Sequence, residues 1–305
     1  VTPAPWLWIP VTVGAAFAQT LRNAAQRHLT ASLGTLGATL VRFLYGLPFA
    51  ALWLAAVRAA GGGPLPAPSR AFLGWVLLGA VCQIAATGLL LRVMAERTFA
   101  LGVAYSKSEI IQVAIFGLAF LGDRVSAAAG AAIALGTLGV LLLSPADPAR
   151  PLRGLLAGWT SRPALLGLLS GAGFALAAVG FRGAALALGG APFPLAAAYA
   201  LVMAQLLQTL LLGAWLLLRE AAVITAVLRA WRASLFAGGM GAAASAGWFT
   251  AMAIEPAAHV RTLGLIELLF SYGISRRVFR ERLTRRELTG VAILTLALVV
   301  MALGR

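Results

Sequence analysis

Ile266-Glu267-Leu268-Leu269-Phe270-Ser271-Tyr272, followed by Glu281-Arg282-Leu283-Thr284, decides the fold: one carboxylate inside an apolar helix, an arginine-studded turn, then a second apolar run to Arg305. The same order stands 158 positions earlier. Glu267 falls on Glu109, Glu281-Arg282-Leu283-Thr284 on Asp123-Arg124-Val125-Ser126, and Met252-Ala253 on Met94-Ala95. The register holds without a gap over about forty residues, so two copies of one unit are expected.

What surrounds this stretch is equally apolar. The 305 residues are 61% hydrophobic and 11% charged, with a mean hydropathy of +0.93. A water-soluble domain of that size needs far more polar surface. The solvent expected around this chain is lipid. The formal charge of +15 comes from basic residues scattered singly between apolar runs, not from a continuous basic face, which excludes a nucleic-acid partner. Cys82 is the single cysteine, so there is no internal disulfide and no thiolate metal site. His28 and His259 lie at the ends of apolar runs without a second His at metal spacing. No Gly-x-Ser-x-Gly or Walker pattern is found. An enzyme is not expected, nor a metal or cofactor.

Runs of about twenty apolar residues cross a bilayer. Ten are read, at about 6–27, 35–57, 71–92, 98–120, 125–144, 164–186, 192–218, 233–253, 257–279 and 287–304. The first carries no basic stretch ahead of it, and is read as a span instead of a cleaved signal. Ser126 and Thr284 are expected to cap the fifth and tenth. The chain then divides into a first five-helix repeat over 1–146, a linker over 147–163, and a second repeat over 164–305. Five crossings per copy is an odd number. The second copy therefore enters from the opposite side, giving an all-α integral membrane protein of ten helices in two inverted repeats.

Charge on the connecting segments orients such a chain. Links after odd-numbered spans collect sixteen arginines; even-numbered links and the termini carry six. That count puts both termini outside the cytoplasm. Trp6, Trp8, Trp53 and Trp75 fall near span ends, as interfacial anchors do, and glycine clusters such as Gly238-Gly239-Met240-Gly241 allow close helix approach.

A charge at bilayer depth costs several kcal/mol unless it is paired or wet. Glu109, Lys107, Glu267 and Arg42 all fall there, while Arg261, one turn into its span, is placed to snorkel. Tyr105, Glu109, Gln112 and Phe116 share one helical face, and Lys107 points away from it. Ser271 shares the face of Glu267. Gln19, Arg22, Asn23 and Gln26 form a polar face on the first span, and Gln83 and Trp248 are further candidates. The repeat should bring the two carboxylates together, either as ion pairs locking helices or as groups that hold a substrate amine or a coupling proton.

Ile266-Glu267-Leu268-Leu269-Phe270-Ser271-Tyr272, the basic turn Ser275 to Thr284, and Arg286-Glu287-Leu288-Thr289-Gly290 resemble the end of the second EamA domain of the drug/metabolite transporter superfamily. Gly122-Asp123-Arg124-Val125-Ser126 is similar to that domain's Gly-Glu-Arg-Leu-Ser turn, with Asp for Glu, and Thr39-Leu40-Val41-Arg42-Phe43 with Pro48 resembles its second span. The resemblance implies a ten-helix carrier with a central cavity lined mainly by spans one, three, four, six, eight and nine. It also implies cytoplasmic termini, against the arginine count.

The function expected is secondary active transport, by alternating access, of a small polar or zwitterionic metabolite such as an amino acid across the inner (plasma) membrane. Proton coupling and export are both compatible with it. The alternative is a non-transporting membrane scaffold or accessory subunit. The expected site comprises Glu109, Glu267, Lys107, Arg42, Tyr105, Gln112, Gln19, Asn23, Gln83, Trp248 and Ser271. Partners are a small-molecule substrate and membrane lipid, the chain being a monomer or homodimer.

Overall fold

In a computed structural model of the chain, the described residues are Ala4 and residues 6–96, 106–143, 162–279 and 285–303. Tyr105, most of the linker and the Glu281-Arg282-Leu283-Thr284 turn lie outside them. The described residues are helical, with no strand. The helices are α1 (Trp8–Leu44), α2 (Leu47–Val57), α3 (Arg70–Glu96), α4 (Glu109–Leu121), α5 (Ala127–Leu143) and α6 (Arg162–Ala187). They continue with α7 (Phe193–Arg219), α8 (Ala221–Arg229), α9 (Trp231–Ile254), α10 (Ala257–Leu263), α11 (Ile266–Phe279) and α12 (Arg285–Leu303).

Among the described residues, four helical runs are long and apolar enough to cross a bilayer: Trp8–Gly61, Arg70–Met94, Leu165–Ala187 and Phe193–Arg219. α8 and α9, bent by 89° at their junction, make a fifth if counted as one span. The first run has 54 residues, which at about 1.5 Å per residue would reach roughly 80 Å, against a hydrocarbon core of about 30 Å. It does not run straight. Gly34 sits at φ 67°, ψ 177°, backbone that is open essentially to glycine alone. Gln26 Nε2 donates to the Ala38 carbonyl at 2.8 Å; twelve residues of straight helix would hold these groups about 18 Å apart. The chain therefore doubles back at Gly34.

Helix ends follow local chemistry. Ser126 Oγ accepts from the Ala129 N–H at 3.1 Å, the cap expected for α5, and Ser69 Oγ does the same for Phe72 at 3.1 Å ahead of α3. Gly122, left-handed at φ 67°, ends α4. The most extensive packings pair α1 with α9, α3 with α6, and α5 with α12. α3 and α6 approach closely because glycine lines the seam: a Cβ on Gly180 would meet the Gly79 nitrogen and the Trp75 carbonyl, each at 3.0 Å.

Burial is reversed relative to a water-soluble protein. Leu218, Leu52, Leu210 and Leu169 are exposed, whereas Arg22, Asn23, Gln26, Arg42, Glu109 and Glu267 are buried. A chain that turns leucine outward and folds charge inward is made for a lipid surround. The tryptophans divide. Trp6 and Trp53 are exposed, as interfacial anchors are. Trp8 is instead 1% exposed, and Trp75 packs against the α3–α6 core. Closeness to a span end in sequence does not fix which way a ring faces.

Candidate functional site

Two turns, each leading into a helix, make the centre. Residues 107 and 108 form a turn directly ahead of α4, and Gly264 and Leu265 form a turn between α10 and α11. The backbone there tightens to i→i+3 bonds: Ile110 N to Lys107 O at 3.3 Å, and Glu267 N to Gly264 O at 3.0 Å. Each of the two puts a carboxylate, Glu109 or Glu267, in the first turn of the helix that follows. Free N–H groups and aligned peptide dipoles favour negative charge at that position.

Glu267 is 1% exposed and saturated with donors. Lys107 Nζ reaches its Oε2 at 2.5 Å, Gln19 Nε2 the same oxygen at 2.7 Å, and Asn23 Nδ2 its Oε1 at 2.8 Å. Two further bonds fix those partners. Trp248 Nε1 donates to Gln19 Oε1 at 2.9 Å, and Arg22 Nη2 donates to Asn23 Oδ1 at 2.7 Å. Connected hydrogen bonds in a low-dielectric interior reinforce one another, and leaving any one unmade is costly.

Glu109 is held more loosely, with Lys107 Nζ 3.8 Å from one oxygen and Arg261 Nη2 3.8 Å from the other. Lys107 thus lies between the two acids. A continuous helix would have turned it away from Glu109; the turn at 107 and 108 removes that geometry. Arg261 does not snorkel. It is 7% exposed and stacks over the Trp248 ring at 4.9 Å, because Glu109 and an aromatic face offer more inside than the helix end offers outside. Arg42 donates to Thr87 Oγ1 at 3.0 Å.

These groups line a narrow cleft with about 20 Å³ of free volume, room for little more than one water. α1 contributes Gln19, Arg22, Asn23 and Arg42; α3 contributes Gln83; the segments around the two turns contribute Lys107, Glu109, Arg261 and Glu267. Phe174 and Phe181 of α6, with Trp248, Phe249 and Met252 of α9, form the apolar wall. A larger hollow, of about 570 Å³, lies between the Gly61 to Ala67 loop and the α6–α7 turn; no charged side chain lines it.

Of the residues expected at the site, Glu109, Glu267, Lys107, Arg42, Gln19, Asn23, Gln83 and Trp248 come together around the cleft. Gln112 and Ser271 do not line it: Gln112 turns its Nε2 to Ser108 Oγ at 3.4 Å, and the Ser271 hydroxyl is buried without a partner. Arg22 and Arg261 are central, although their places near span ends suggested interfacial roles. The signal for Arg22 was its membership of the polar face running from Gln19 to Gln26. Phe174 and Phe181 carried no signal beyond apolarity.

No family model matches the chain and no curated protein matches it. Among solved structures 27 chains match. One, a crystal structure of a protein 15% identical to this chain, superposes with a TM-score of 0.65 and covers 97% of this chain and 96% of its own. At that identity the likeness speaks for a shared fold alone.

Proposed function

We propose that the chain is a secondary carrier that moves a small polar metabolite through the charged cleft by alternating access, on a scaffold of ten spans in two inverted five-helix repeats. Helix starts recur at the offset found in the sequence: Ala127 of α5 with Arg285 of α12, and Glu109 of α4 with the neighbour of Ile266 at the start of α11. The packing supports the repeat too. At that offset the first part of α1 corresponds to α6 and α3 to α9, so the α1–α9 and α3–α6 pairs exchange while α5–α12 maps onto itself. The turn at 107–108 and the turn at Gly264-Leu265 fall within one position of each other at that offset, and in carriers of this plan interrupted helices near the midplane form the substrate site.

The EamA resemblance rests on the motifs quoted from the sequence. The cleft walls add support, since α1, α3, α6, α9 and the segments around the two turns supply most of them. One observation carries the reading: four cations, two carboxylates and several amides gathered in a cleft inside a bundle whose exterior is leucine. Lipid-facing proteins keep charge inside where something polar must pass.

The saturated hydrogen bonding of Glu267 favours the rival reading of a rigid scaffold. Sided labelling separates the two. With Cys82→Ala removing the single thiol, Ser245→Cys puts a thiol on the cleft wall. A carrier lets a membrane-impermeant maleimide reach it from each side of sealed vesicles, in proportions that change when solute is present. Labelling from one side only, unaltered by any solute, would sink the proposal.

A further inference from the structure

We infer that the solute accepted by this cleft is a small organic dianion, a dicarboxylate or a phosphate monoester, whose charged ends are held by Arg22 and Arg261. The inference rests on the carrier reading and narrows it. Arg22, Arg42, Lys107 and Arg261 face the cleft against Glu109 and Glu267, so two positive charges stand in excess.

The carboxylates do not cancel the arginines. Glu267 is occupied by Lys107, Gln19 and Asn23. Glu109 already stands between Lys107 and Arg261. Among the described residues no carboxylate lies within ion-pair distance of Arg22 or Arg42. Arg22, 2% exposed, meets Asn23 alone, through Nε at 3.3 Å and Nη2 at 2.7 Å, and its Nη1 is buried with no partner. Arg261 leaves Nε in the same condition.

A guanidinium keeps its proton, so this excess is not relieved by deprotonation. Burying it against an apolar wall is unfavourable until an anion arrives. The unpartnered donors, Arg22 Nη1 and Arg261 Nε, suit carboxylate or phosphoryl oxygens, to which guanidinium N–H groups make strong charge-assisted bonds. Glu109, its nearest cations 3.8 Å away, is the one acid an ammonium could approach, and the excess of two positive charges around it disfavours a cation there. Phe174, Phe181 and Trp248 would cover the carbon skeleton.

The test uses the full chain in proteoliposomes with the membrane potential clamped. Initial uptake of radiolabelled succinate and glycerol phosphate is compared with that of alanine and lysine, empty liposomes serving as the blank. The inference expects one of the dianions to enter about tenfold faster than either amino acid, and to raise the melting temperature of the detergent-solubilised protein. Arg22→Gln and Arg261→Gln should each reduce that preference, with some loss of melting temperature because Arg22 holds Asn23 and Arg261 stacks on Trp248. If either variant fails to fold, the wild-type ranking of solutes by charge still decides. Uptake of alanine or lysine without the dianions overturns the inference and leaves the carrier reading standing. Dianion uptake unchanged in both folded variants overturns the roles of Arg22 and Arg261. No uptake of any solute overturns both readings.

Discussion

Lys107 Nζ lies 2.5 Å from Glu267 Oε2, joining the two central segments across 160 positions of chain. Both groups are nearly inaccessible, with side-chain exposures of 6% and 1%. Removing one partner leaves the other buried and uncompensated, at a cost of about 3–5 kcal/mol. Lys107→Met and Glu267→Leu should therefore each lower the melting temperature strongly, and the double variant should lose less than the sum of the two, though Gln19 and Asn23 still lack their acceptor. A double-mutant cycle by thermal unfolding measures this; losses that simply add would show that the pair is not coupled.

Gln19 both accepts from Trp248 and donates to Glu267. Gln19→Leu breaks both bonds and leaves a carboxylate oxygen with one donor fewer. Hydrogen bonds to charged groups contribute about 1.5–3 kcal/mol each, so destabilisation in that range is expected in a denaturation series. Trp248→Phe removes the indole donor and also buried ring that Arg261 stacks on, so a double-mutant cycle with Gln19→Leu is the readout; losses that simply add would contradict the relay.

The turn at Gly34 is a backbone requirement. Gly34→Val places a β-branched residue at φ 67°, ψ 177°, a region that costs about 1–3 kcal/mol for any residue with a Cβ. No heavy atom lies within 4 Å of a Cβ built there, so the cost is conformational and not steric. Gly34→Ala should destabilise almost as much as valine, as differential scanning would report. A neutral Gly34→Ala would argue that the chain does not fold back at this residue.

Arg182 holds a second junction, away from the cleft charges. Its Nε and Nη2 bond both oxygens of Asp123 at 2.8 and 3.0 Å, and its Nη1 reaches the Met252 and Glu255 carbonyls at 2.8 and 2.9 Å. α6, the end of α4 and the end of α9 are thereby tied at one point. Asp123→Asn removes the charge and turns one of the two acceptor oxygens into an NH2 donor facing the guanidinium, and should cost about 2 kcal/mol. In the Cys82→Ala, Ser245→Cys background it should also change how maleimide labelling divides between the two sides. An unaltered division would make Arg182 a structural tie and no more.

Much of the centre was legible in the sequence because charge within an apolar run is scarce and each instance demands a reason. Glu109, Glu267, Lys107 and Arg42 announced themselves that way, and the 158-position offset brought the acids together before any coordinates did. The turn ahead of α4 was not legible. Ser106-Lys107-Ser108 contains neither Pro nor Gly, and the bond that holds Lys107 there, to Glu267, is tertiary and no local pattern encodes it. Arg261 was misplaced for a related reason: snorkelling is the default for a cation one turn into a span, and only the positions of Glu109 and Trp248 override it. Gly264, on the other hand, lies in the corresponding turn of the second half, and a glycine there was a visible cue.

The central claim, that the charged cleft is the path of a solute, is tested most directly by uptake into proteoliposomes of the wild type beside the Lys107→Met, Glu267→Leu double variant. The double variant is expected to stay folded, with a melting temperature below that of the wild type because Gln19 and Asn23 lose their acceptor, yet to accumulate no more solute than empty vesicles, while the wild type accumulates it. Undiminished uptake by the folded double variant would contradict the claim.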